Sequence, residues 1–249
     1  MRDSHERFSD IESIPLSQPL RRFRAWRERT FLEAEHRARY EWAAEIVRGK
    51  TVLDIASGSG YGSYTLAVRG AKHVVGVELE QTAVEAARSR YQHPALEYRQ
   101  DSGVEFAHVP ETFDCIVSFE TIEHIDDDRR FLSLLAEHLV PGGTLIISTP
   151  NRHISNPGKT LIDRPENPFH VREYTTAEFR ALLAERFTVK QGFIQGCYRK
   201  NDAGKNRWLR LLKRLALVTG LGRGFFAAVR PDDEVTEATY SIFVCTHQS

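Results

Sequence analysis

Glu120, Glu123 and His124 stand in the run FETIEHIDDD, residues 119–128, and bring two carboxylates and an imidazole together within five positions. On a helix, residues at i, i+3 and i+4 share one face. A polar first turn would explain the acids through the helix dipole. The other reading is a metal site, because glutamate and histidine suit magnesium, manganese, iron or zinc. Two carboxylates side by side repel each other unless one is protonated or a cation neutralises both. The choice depends on where the fold puts this run.

The chain has 249 residues, 41% hydrophobic and 27% charged, with 34 basic and 34 acidic side chains. This is a soluble globular composition with enough apolar material for one large domain. The balanced charge recruits neither nucleic acid nor membrane. Cys115, Cys197 and Cys245 are odd in number and far apart. They read as reduced cysteines, not as a disulfide framework. The opening MRDSHERFSDIES is polar and lacks the apolar stretch of a secretory signal. A cytoplasmic location is expected.

Strands and helices alternate along the chain. A polar, arginine-rich stretch over residues 1–30 leads into a helix from Thr30 to about Gly49, so residues 1–48 form a helical extension. TVLDIA, HVVGVE, LEYRQD, FDCIVSF, TLIISTP, TVKQGFI and ATYSIFVCT read as strands. YGSYTLAVRG, QTAVEAARSRY, DDRRFLSLLAEHLV and TTAEFRALLAERF read as helices, the third stopped by Pro141-Gly142-Gly143 and the last opened by a Thr175 or Thr176 cap with Glu178. The pattern predicts an α/β fold: a parallel sheet drawn from seven strands, with helices on both faces. Ligands of such sheets bind at the carboxyl ends of the strands.

VLDIASGSGYG, residues 52–62, joins the first strand to its helix. Its small residues let the backbone approach a ligand. Asp54 precedes the glycines; a carboxylate there opposes a pyrophosphate and suits an ammonium group. Glu78 ends the second strand, placed for the two hydroxyls of a ribose. Asp101 and Ser102 end the third, placed for an adenine amino group. VLDIASGSG, VVGVELE, YRQDS, FDCIVSFETIEH and LVPGGTLIISTPN follow in that order over residues 35–190. In order and spacing they resemble the class I S-adenosylmethionine-dependent methyltransferases. The resemblance implies a seven-stranded Rossmann-like sheet with helices on both faces and a final antiparallel strand, and S-adenosyl-L-methionine as cofactor. It places Ala56, Gly58 and Gly60 at the methionine end, Glu78 and Leu79 at the ribose, and Asp101 and Ser102 at the adenine. The backbone at Ser118–Phe119 touches the methionine part. Ala56 departs from the family, which has glycine there.

FETIEH then falls at the carboxyl edge of the fourth strand, next to the reacting methyl. This stretch is similar to the ubiquinone-pathway O-methyltransferases and the small-RNA 3′-terminal 2′-O-methyltransferases. The RNA enzymes carry Glu-x-x-Glu-His and a later histidine, and hold a divalent cation against two neighbouring hydroxyls. The resemblance implies a metal on Glu120, Glu123, His124 and His170, with magnesium or manganese ahead of zinc or iron. His170 lies in NPFHVREYTTAEF, just before the capped helix. Without metal, His124 or His170 would act as general base, beside Glu123. His93, His108, His138 and His153 read as polar loop residues.

The acceptor is read less directly. EHRARYEWA, ASGSGYGS and NPFHVRE resemble bacterial methyltransferases of glycan and antibiotic-sugar pathways, which puts a sugar hydroxyl first. A quinone-pathway catechol is second. An RNA 3′ end is third, because the chain is neutral and shows no RNA-binding module. A catalytically silent cofactor-binding module is disfavoured by the acid–histidine run. Residues 199–236 form an insertion between the last two strands. In NRWLRLLKRLALV, Trp208, Leu211, Leu212 and Leu215 face one way and Arg207, Arg210, Lys213 and Arg214 the other. A lid or dimer helix and a peripheral membrane contact through residues 206–218 are both open.

Overall fold

The computed structural model describes residues 19–102, 104–106, 109–199, 227–232 and 236–247. Its strands are β1 (Thr51–Ile55), β2 (His73–Glu78), β3 (Leu96–Gln100), β4 (Phe113–Phe119), β5 (Leu139–Pro150), β6 (Phe187–Arg199), β7 (Arg230–Pro231) and β8 (Thr236–His247). The helices are α1 (Pro19–Ile46), α2 (Tyr61–Val68), α3 (Gln81–Arg90), α4 (Asp128–Glu137), α5 (Arg152–Ser155) and α6 (Thr176–Ala184). They surround one mixed sheet in the order β3-β2-β1-β4-β5-β8-β6-β7.

β1 to β5 are parallel, and β8 runs antiparallel between β5 and β6. Parallel strands are buried on both faces and read as near-continuous apolar runs. Val52, Leu53 and Ile55 of β1 and Leu145, Ile146 and Ile147 of β5 are fully buried accordingly. One side chain cluster joins Leu53, Ile116 and Ile147 to α4 and α6; the other joins Val52, Val117 and Ile146 to α1 and α2.

The sheet has eight strands among the described residues, not the seven expected. The addition is the two-residue β7, paired Phe193↔Pro231 and Ile194↔Arg230 at the sheet edge. Two residues carry no periodicity, and proline belongs at an edge. α1 begins at Pro19, earlier than Thr30, with a proline suited to a first helical turn. β5 starts at Leu139 and runs through Pro141-Gly142-Gly143, which shifts the register against β4 instead of separating the elements. The capping box of α6 forms between Thr175 and Glu178. No helix among the described residues is long and apolar enough to cross a membrane. The amphipathic run over 206–218, and most of the 199–236 insertion, lie outside the described residues.

Candidate active site

The parallel strands bring the ends of β1, β2, β3 and β4 to one edge. After β1 the chain turns sharply: Ala56, Gly58 and Gly60 have φ of 56°, 53° and 84°. The turn folds back on β2, where Ser57 N donates to Val77 O at 2.9 Å and Gly58 N to Glu78 Oε2 at 2.8 Å. Gly60 has no room for a side chain, because a Cβ would lie 2.6 Å from Ala87 Cβ and 2.7 Å from the Tyr98 hydroxyl. Glu78 Oε1 accepts from Leu79 N at 2.8 Å, and Asp101 N donates to Glu78 O at 3.0 Å. Glu78, Leu79, Asp101 and Ser102 thus line adjoining strand ends.

Asp54 is fully buried and accepts from the Tyr40 hydroxyl at 2.9 Å and Ser63 Oγ at 2.6 Å. Burial pushes its carboxyl up to about 7, against the pull of those two hydrogen bonds. Both oxygens are engaged, so Asp54 orients the loop by tying it to α1 and α2. The Tyr40 ring lies against Gly62, where a Cβ would meet it at 2.2 Å. Ser57 Oγ, the Tyr61 hydroxyl, Ser118 Oγ and Arg39 Nη2 are buried with no hydrogen-bond partner. Buried polar atoms are seldom left so. Ser57 lies in the turn and Tyr61 opens α2 after it, and their unpaired hydroxyls fit a ligand with a polar amino-acid end.

On the other side of Phe119 the chemistry changes. Glu120 takes φ of 53° and stands outside any helix, and residues Ile122–His124 form a 3₁₀ turn. The single helical face expected for Glu120, Glu123 and His124 therefore does not form. The left-handed backbone sends the Glu120 carboxylate to Arg39 Nη1 and Ser148 Oγ, each at 2.7 Å. Arg39 is fully buried; its Nε donates to Gln195 Oε1 at 2.9 Å, and its guanidinium lies 4.5 Å from the Tyr240 ring centroid. Glu123, His124 and His170 come together instead, with ligand-type atoms all within 4.8 Å of one another.

Each of the three is held from behind. Glu123 is buried and accepts from Thr149 Oγ1 at 3.1 Å. Burial first, then the Glu120 charge, push its carboxyl well above the usual carboxylate range. His124 Nδ1 donates to Phe169 O at 2.8 Å; a carbonyl only accepts, so the ring proton is on Nδ1. His170 Nδ1 is hydrogen-bonded to the buried Glu173, and the two imidazoles meet edge to face at 4.9 Å. The strap carrying His170 is fastened by Val171 N donating to Glu123 O at 2.8 Å. A buried carboxylate and two imidazoles anchored through Nδ1 form a donor set that fits a divalent cation. A cation there would return Glu123 to its carboxylate form.

Arg39, Tyr40, Thr149 and Glu173 were not singled out by the sequence. A signal for Arg39 was present: it lies on the line Glu35, Arg39, Ala43, Val47 at spacing four, the buried face of α1. A charge on an apolar helical stripe calls for a buried partner.

Residues 53–147 match the family model described as "Methyltransferase domain". A Mycolicibacterium smegmatis protein named "probable S-adenosylmethionine-dependent methyltransferase" is 35% identical over 156 residues, 63% of this chain and 58% of that protein. A ubiquinone biosynthesis O-methyltransferase from Chelativorans is 34% identical over 131 residues, 52% of this chain and 51% of that protein. The chain spans little more than half the length of these curated relatives. Among solved structures, the N-methyltransferase NodS of Bradyrhizobium japonicum in complex with S-adenosyl-L-homocysteine has the same fold. The TM-score is 0.58 over 88% of each chain, at 16% identity. Residues 53–147 thus resemble a methyltransferase domain, and the chain shares its α/β, Rossmann-like fold with that structure.

Proposed function

We propose that the chain is an S-adenosylmethionine-dependent O-methyltransferase whose acceptor carries two adjacent oxygens, a sugar diol first. One observation carries this reading: Glu123, His124 and His170 converge within 4.8 Å after β4, the parallel neighbour of β1, whose own end carries the turn at Ala56–Gly60. In it, Glu78 and Leu79 hold the ribose, and Asp101 and Ser102 flank the adenine. Ala56, Gly58, Gly60 and the Phe119 backbone receive the methionine end, with Ser57 Oγ as a further polar contact.

Methyl transfer from a sulfonium needs oxygen, carbon and sulfur in line, and a way to drain the hydroxyl proton. With their protons on Nδ1, the imidazoles of His124 and His170 keep Nε2 as the acceptor nitrogen; that of His170 accepts from Asn167 Nδ2 at 2.8 Å, which must move off before it takes a proton. Glu123 completes a buried proton-holding group. A divalent cation on Glu123, His124 and His170, magnesium or manganese ahead of zinc or iron, would supply a lowered hydroxyl pKa and a fixed position for two oxygens. Glu120 would join that set only by giving up Arg39 and Ser148. A catechol is the second reading, favoured by the relatives named for ubiquinone biosynthesis.

The test is methyl transfer to a panel of sugar and catechol acceptors, first in chelator and then with single metals restored. The expected result is loss in chelator and recovery with magnesium or manganese, confined to acceptors with vicinal hydroxyls. His124→Ala should lower turnover by about 10²–10⁴-fold while calorimetry shows cofactor binding unchanged. Full activity in chelator removes the metal and leaves the histidines as plain bases. Binding of NAD in place of S-adenosylmethionine overturns the whole reading.

A further inference from the structure

His170 reaches the cluster on a strap of extended and turning chain, yet its ring is bonded on both nitrogens. Two backbone N–H groups, which can only donate, decide how. Phe169 N donates to Asn167 Oδ1 at 3.1 Å, so the other end of that amide, Nδ2, is the atom 2.8 Å from His170 Nε2. Nε2 therefore accepts. Glu166 N donates to Asn156 Oδ1 at 2.7 Å, so Asn156 Nδ2 points at Glu173 Oε2, 2.7 Å away, and donates to it. Ser155 Oγ is bonded to the same oxygen. The remaining oxygen, Glu173 Oε1, faces His170 Nδ1. Glu173 is 2% exposed, and no backbone group shares its carboxylate in these contacts.

We propose that Glu173 is a positioning residue that decides which nitrogen of His170 carries the proton, and so keeps Nε2 as the acceptor nitrogen that a cation or a substrate proton would use. This rests on the reading of His170 as part of the site. A carboxylate has no donor, so it forces Nδ1–H and leaves Nε2 basic. Carboxylates behind histidine ligands act this way in metal sites generally. Asn167 Nδ2 occupies that lone pair and has to move off before any cation or substrate proton uses it.

The geometry makes the substitution Glu173→Gln more than a lost charge. Asn156 Nδ2 is fixed as a donor and holds the new amide oxygen. The new amide NH₂ then falls opposite His170 Nδ1, which must accept. The ring proton moves to Nε2, and the Asn167 amide, a donor toward that nitrogen, is displaced from it. Glu173→Asp keeps an acceptor-only group and should keep Nδ1–H. Asn167→Ala should also keep it, because Glu173 and not Asn167 sets the tautomer.

The experiment is two-bond nitrogen–proton NMR on the full chain labelled with ¹⁵N-histidine, with Mn²⁺ affinity measured on the same samples. Expected are Nδ1–H in the wild type, Glu173→Asp and Asn167→Ala, and Nε2–H in Glu173→Gln. Mn²⁺ binding should weaken by about 10–100-fold in Glu173→Gln and recover in Glu173→Asp. Persistence of Nδ1–H in Glu173→Gln overturns the proposal, as does inversion in Asn167→Ala. If the wild type binds no Mn²⁺ but the tautomer inverts in Glu173→Gln, the metal reading fails and the positioning role stands.

Discussion

The two sides of the proposed site, cofactor and acceptor, are built by different means. On the cofactor side, a short stretch of backbone supplies the shape: three left-handed residues between 56 and 60, fastened to the next strand by Ser57 N and Gly58 N. On the acceptor side, side-chain charge and contacts between distant segments supply the order. Arg39 from α1 reaches Glu120, 81 positions away, while Gln195 reaches Arg39 across 156. His124 meets the carbonyl of Phe169, 45 positions on. The first side can be assembled from neighbours in sequence; the second exists only once the whole sheet has formed. Damage to the acceptor side should therefore register as lost stability, and damage to the cofactor side as lost affinity.

The largest expected effect tests that contrast directly. Arg39→Met leaves Glu120 in a largely buried position without its cation, and breaking such a pair costs about 3–5 kcal/mol. Urea denaturation should show that loss. Adding Glu120→Gln should recover much of it, since the two substitutions touch one interaction. Strict additivity would mean that Arg39 acts through its packing on Tyr240 and Phe119, and the contrast would weaken.

Asp54 is the exception on the cofactor side, a buried charge held by hydroxyls with no cation beside it. Burial raises its carboxyl to about 7 in the folded chain, whereas it titrates near 4 unfolded. Between those values the folded state holds the extra proton, so stability is greatest below about pH 4 and falls as pH rises towards 7. The loss attributable to this group is on the order of 2–4 kcal/mol. It should appear as the difference between wild type and Asp54→Asn in denaturation at pH 5 and pH 8. Parallel curves at both pH values would show that Asp54 is ionised throughout and that Tyr40 and Ser63 suffice to hold its charge.

Glu78→Ala should behave as the cofactor side predicts. S-adenosylmethionine binding should weaken by about 1–3 kcal/mol, the range for a hydrogen bond to a charged group, as read by calorimetry. Unfolding should move less than for Arg39→Met. Unchanged affinity would remove Glu78 from the ribose.

The same division explains what was legible in the sequence. The glycine spacing, the acids at strand ends and the alternation of elements are local, and the sheet, Asp54, Glu78 and Asp101 follow from them. His170 could be attached to Glu123 and His124 only through family resemblance, because 46 positions separate it from His124. The fate of Glu120 was not legible at all. A helical spacing predicted a shared face, and one left-handed residue turned the side chain to Arg39. Nothing in the sequence marks Glu173; only burial beside Asn156 and His170 gives it a role.

Ala56 offers the smallest and cleanest separation of the two sides. It holds φ of 56° where an L-residue pays about 1–2 kcal/mol and glycine pays nothing. Ala56→Gly removes that strain but frees the unfolded chain, which offsets about 0.4–1 kcal/mol. A net gain of about 0.5–1 kcal/mol is expected, a rise of a few degrees at most in a thermal melt. Nothing on the acceptor side rests on this residue, so the response to metal and the loss caused by Arg39→Met should be unchanged in the Ala56→Gly background. A loss of stability would show that the Ala56 methyl packs well enough to outweigh its strain. A changed response at Arg39 would show that the turn and the charge network are one unit, joined through Tyr40 and Asp54.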